Sequence, residues 1–229
     1  MRCMEYSTEK IEEIAEDVLL NYDSSLLFEP KALDIYHLGE FHFGLSFEYK
    51  YIDPDMETLG LTAFSDGLYP VSPTPFWTED IKPMLIELKA GTVLIDTRLT
   101  MPGKENRERF TVAHEIGHQV LHKKIFACPS SIVWPAYRED VSSTGIIASP
   151  IQSIESQANK FAAALLMPRI AIDAWVGDYV RNHQMRKGFL DESPLLMEMV
   201  KELSAVFQVS MEAMDIRLKN LGFVKGIQR

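Results

Sequence analysis

A chain of 229 residues, 46% hydrophobic and 24% charged, is long enough to bury a core without staples and too ordinary in composition to be disordered throughout. Two distant cysteines, Cys3 and Cys128, exclude a disulfide framework or a Cys-x-x-Cys metal site, and fit reduced thiols in a cytoplasmic protein. The formal charge of −10 is carried by residues 1–60, with 14 Asp/Glu against 4 Lys/Arg, while the rest of the chain holds 19 of each sign; such an acidic face disfavours direct DNA binding, which needs clustered Lys and Arg.

Residues 8–22 carry Ile11, Ile14, Ala15, Val18 and Leu19 at helical spacing, with acids between them, and predict an amphipathic helix. Pro30 introduces a second short helix over Lys31 to Leu38. The alternation Phe43, Leu45, Phe47, Tyr49, Tyr51 predicts a half-buried strand. Leu59 to Phe64 and Thr92 to Ile95 are two further strands, and the proline-rich stretch Pro70 to Pro83 reads as a loop between them. A helix follows from Lys104 to His122, with Lys123 and Lys124 at the negative end of its dipole. Residues 125–149 show no period and read as a long loop. Ser149-Pro150-Ile151-Gln152 combines a cap, a first-turn proline and a Gln three residues after the cap, so a helix starts there and runs to just before Pro168. Two or three helices fill 170–222, with Gly222 as a stop. The expectation is an α+β, mainly helical fold with a small three-stranded sheet and a helical C-terminal region. Its domains are expected at 1–168 and 169–229. No run of about 18 apolar residues suggests a membrane span, and the charged N-terminus lacks a secretory signal.

Chemistry concentrates in His114-Glu115-Ile116-Gly117-His118. Residues four apart on a helix share a face, so both imidazoles can reach one ion. Glu115 then stands beside the metal without binding it, placed to act on a water there, which is why this spacing suits a metal-activated hydrolase. A catalytic zinc site needs a third protein ligand. His122 follows His118 by four, but it lies about 12 Å along the axis from His114 and cannot share one ion with both others; a capping or packing role suits it. A third histidine six residues after the second is also missing, because Lys124 stands there. Glu155, in the well-capped helix, is the better candidate, since two histidines with one glutamate form an established zinc class. Asn159 follows one turn later on the same face and can orient a ligand imidazole. Taken alone, Glu155 also suits a plain surface position.

The runs from Arg109 to His118 and from Glu155 to Pro168 together resemble the ImmA/IrrE family of bacterial and phage metallopeptidases, with a weaker match at Phe207–Ser210, Ala213 and Arg217-Leu218. The resemblance implies a zincin-like metallo-endopeptidase with His114, His118 and Glu155 as metal ligands and Glu115 as general base. Gln157 stands where many members carry a second glutamate. Zinc is the implied cofactor, although the same donors accept manganese or iron. The resemblance further implies a protein substrate, a helix-turn-helix repressor often encoded beside such enzymes. The alternative is a non-proteolytic regulator, or a toxin–antitoxin partner, that retains the metal site. Tyr137 and His183 are further candidates for stabilising an oxyanion, with no position assigned to either.

Overall fold

The computed structural model describes residues 5–53, 55–75, 82–126, 150–182 and 194–224. Cys3, Cys128, Tyr137, His183 and most of the expected 125–149 loop lie outside these residues. The described fold is mainly helical with a small three-stranded mixed sheet, as the periodicities predict. Its contacts divide the chain into two units, the first formed by residues 1–7 and 35–159 and the second by 8–34 and 160–229.

In the first unit a short helix α3 (Ile35–His37) runs into a π-helical turn (Leu38–His42) and then into strand β1 (Ser46–Lys50). This helix starts later than Pro30 predicts. Ile35 and Leu38 are both fully buried, and in so short an element packing outweighs the local proline signal. Strand β2 (Gly60–Thr62) and strand β5 (Thr92–Asp96) complete the sheet in the order β1-β5-β2. β5 runs parallel to β1 and antiparallel to β2, and all five of its residues are buried, as a central strand requires.

Two unexpected strands, β3 (Gly67–Val71) and β4 (Met84–Leu88), flank the expected Pro70–Pro83 loop, of whose described residues only Pro70 and Val71 join a strand; the two strands pair antiparallel as a hairpin with Pro70 opposite Leu85. In a two-stranded sheet each strand keeps an open edge, and a proline is tolerated at an edge position that needs no N–H. The hairpin buries Tyr69, Val71 and Leu88 with Leu61 and Leu94 of the main sheet and Ala63 just after β2.

Helix α4 (Glu105–Phe126) lies against β2 and β5. Its start is set by the Glu105 carboxylate, which accepts from the Gly103 N–H at 3.0 Å. Between Thr111 and His122 it buries residues on nearly every side, polar ones included, so it is a core helix rather than a surface one. Helix α5 (Pro150–Leu166) follows in the described chain.

The second unit holds α1 (Thr8–Asp23), α2 (Ser25–Phe28), α6 (Arg169–Asn182), α7 (Pro194–Phe207) and α8 (Met211–Asn220). Ile11, Ala15, Val18 and Leu19 form the buried stripe of α1 that their spacing predicts. Ser210 caps α8 by accepting from Ala213 N–H at 3.0 Å, and Gly222 ends it with a φ of +81°. Arg217, buried on α8, donates to the Met167 carbonyl at 3.0 Å and pairs with Glu12 through both terminal nitrogens. Among the described residues no helix is long and apolar enough to cross a membrane.

Candidate metal centre

Helix α4 presents His114 and His118 one turn apart, and their Nε2 atoms face each other at 3.0 Å. Glu155, on the first half of α5, closes the group. Its Oε2 is 3.2 Å from Nε2 of His114, and its Oε1 is 3.6 Å from Nε2 of His118. All three donors lie within 4.8 Å of one another, a cluster compatible with a metal site. Ligands held at 2.0–2.1 Å in a tetrahedron stand roughly 3.4 Å apart, close to the separations found between these donors.

The donor set also fits electronically. Asn159, one turn after Glu155 on α5, has its Oδ1 2.9 Å from Nδ1 of His114. An amide oxygen only accepts, so that ring nitrogen carries the proton and Nε2 keeps its lone pair. Two imidazoles and a carboxylate then converge, a donor set that suits a cation. Burial pulls the His114 imidazole down, but the Glu155 hydrogen bond and the charges of Glu115 and Glu155 carry it above its ordinary value. His118 is held well below its ordinary value by burial, and further by His114 and His122.

Glu115 points to the sheet side of α4. Its carboxylate accepts from the Thr62 hydroxyl of β2 at 2.8 Å, and the same hydroxyl lies 3.2 Å from the Glu115 carbonyl. Burial pushes this carboxyl up to about 7, with His114 and the Thr62 hydroxyl acting in the opposite direction. Gly60 explains how β2 comes so near. A Cβ there would stand 2.6 Å from Glu115 Oε1, 2.8 Å from its Cγ and 2.8 Å from Thr111 Cγ2, all too close for any side chain.

The model of the IrrE N-terminal-like domain, peptidase family M78, matches residues 91–219, more than half of the chain. The chain belongs to this family. No curated protein matches it. The IrrE N-terminal-like stretch contains His114, Glu115, His118, Glu155 and Asn159, which the sequence singles out and the fold brings together in one unit.

His122 does not join the donor group. It is fully buried, as the packing role expected of it allows, and its Nδ1 lies 3.1 Å from Nδ1 of His118. The i,i+4 spacing from His118 was the available signal for that contact. Gly60 and Thr62 were not singled out by sequence reasoning. They precede the stretch matched by the IrrE N-terminal-like model, and nothing in the local pattern links a short strand to a helix some fifty residues later.

Proposed function

We propose that this member of the IrrE N-terminal-like family is a zinc-dependent endopeptidase in which His114, His118 and Glu155 hold the metal and Glu115 is the general base. The observation that carries the reading is the convergence of three donors beside a buried carboxylate whose affinity for a proton is raised to near neutrality. A zinc ion bound by such donors supplies Lewis acidity, activating water near neutral pH and polarising a carbonyl. Glu115 accepts the proton of the attacking water and returns it to the leaving amine, for which a carboxyl near neutrality is well matched. The Thr62 hydroxyl holds one carboxylate oxygen and leaves the other for this transfer. Asn159 keeps the His114 ring in the tautomer and orientation that offers Nε2.

An extended substrate segment pairs with the open edge of β2, the sheet edge that lies against Glu115. The resemblance to the ImmA/IrrE peptidases supports a helix-turn-helix repressor as the protein cleaved, in the cytoplasm. Zinc-loaded protein is incubated with a proteome-derived peptide library, and new termini are read by mass spectrometry. The wild type is expected to cleave, and Glu115→Gln to keep its zinc and cleave nothing. Equal cleavage by Glu115→Gln, or none by the zinc-loaded wild type on the library and on a co-expressed repressor encoded beside it, would refute the reading.

A further inference from the structure

We propose that His122 is a positioning residue for His118: it accepts a hydrogen bond from His118 Nδ1 and so fixes the ring that offers Nε2 to the metal. The proposal rests on the metal-site reading above and deepens it.

Helix α4 carries three histidines at successive turns, and the middle one is held on both sides. His118 has its Nε2 at 3.0 Å from His114 and its Nδ1 at 3.1 Å from His122. A neutral imidazole has one N–H and one lone pair. If Nε2 of His118 is to bind a metal, its proton sits on Nδ1 and needs an acceptor. The group at that position is His122 Nδ1. Accepting there obliges His122 to carry its own proton on Nε2.

The ring as a whole is fully buried, and the Gln157 side chain of α5 lies within hydrogen-bonding reach of it. Leucine would fill the space without burying two ring nitrogens, so packing alone gives no reason for a histidine. The hydrogen bond to His118 does. His122 thereby does for His118 what Asn159 does for His114, and each ligand imidazole has its own orienting partner. The acceptors differ because they come from different elements: Asn159 reaches across from α5, while His122 lies one turn along the same helix.

The test compares two replacements in the full-length protein. In His122→Asn the side-chain oxygen can take the place of Nδ1 and accept from His118; in His122→Leu nothing can. Zinc affinity is measured by competition with a chromophoric chelator, and the cobalt-substituted proteins are compared by visible absorption. His122→Leu is expected to lose roughly 10–100-fold in zinc affinity with an altered cobalt spectrum, and His122→Asn to stay within about threefold of wild type with the spectrum kept. Wild-type zinc affinity in a folded His122→Leu overturns the proposal. Equal losses in both variants, matched by equal falls in metal-free melting temperature, also overturn it and leave a packing role. If His122→Leu does not fold, His122→Gln replaces it, with its acceptor one bond further out; Asn binding zinc no better than Gln then overturns the proposal. Failure of the wild type to bind zinc refutes the metal-site reading itself, an outcome distinct from a loss confined to the variants.

Discussion

Substituting alanine for Gly60 inserts one methyl group between β2 and the face of α4 that carries Glu115. The new Cβ would stand 2.6 Å from Glu115 Oε1 and 2.8 Å from both Glu115 Cγ and Thr111 Cγ2. Carbon atoms in comfortable contact are about 3.5–4.0 Å apart, so strand or carboxylate must yield by close to 1 Å. The strand has little freedom, because Gly60 is in register with Ile95 of the central strand and Thr62 with Val93. The carboxylate is the softer partner, and it turns away at the expense of its 2.8 Å hydrogen bond to Thr62. Overpacking of this kind costs about 1–3 kcal/mol of stability. A catalytic group misplaced by about 1 Å costs on the order of 100-fold in rate, which corresponds to about 2.7 kcal/mol of barrier. The assay is kcat/KM on a peptide recovered from the library digestion, with zinc content and melting temperature measured alongside. Gly67→Ala is the control, since its Cβ would meet Tyr69 Cε2 at an ordinary 3.6 Å. Zinc binding should survive in both, because no donor atom is touched. Wild-type kcat/KM and melting temperature in Gly60→Ala would show that β2 is not seated against Glu115, and the argument for the base and its strand would fail.

Thr62→Val removes a hydroxyl that holds the Glu115 carboxyl down, so its pKa should rise further. Because the base works deprotonated, the acidic limb of the pH–rate profile should move to higher pH and the rate at pH 7 fall by on the order of tenfold, while Thr62→Ser stays near wild type. In metal-free protein the Glu115 carboxyl is raised from 4.5 to about 7, so the stability it contributes is complete below pH 4.5 and lost as pH rises through 7. Glutamine stays neutral throughout; urea denaturation with chelator present should therefore find Glu115→Gln equal to wild type below pH 4.5 and more stable above pH 7, by about 3 kcal/mol. Asn159→Ala takes away the acceptor for His114 Nδ1 and should weaken zinc binding by roughly 10–100-fold in chelator competition, with Asn159→Asp retaining it.

The sequence by itself determined what depends on short spacings. Two histidines four apart on a helix must share a face, and Glu155 and Asn159 share theirs for the same reason. The cap signal ahead of Ile151 and the stripe of Ile11, Ala15, Val18 and Leu19 are likewise local, and both helices are present. Tertiary structure alone decided which faces meet. Helix α5 brings Glu155 to His118 across 37 positions of chain, a contact that helical periodicity does not specify. Two short segments flanking the proline-rich stretch became a hairpin because Tyr69, Val71 and Leu88 found Leu61 and Leu94 to pack on. Gly60 and Thr62 acquire meaning only when β2 is laid on α4, and of the capping and packing roles open to His122 burial against His118 selects packing. Spacing along a helix sets which donors can act together, whereas burial and approach between distant segments set the carboxyl's proton affinity and the orientation of each imidazole.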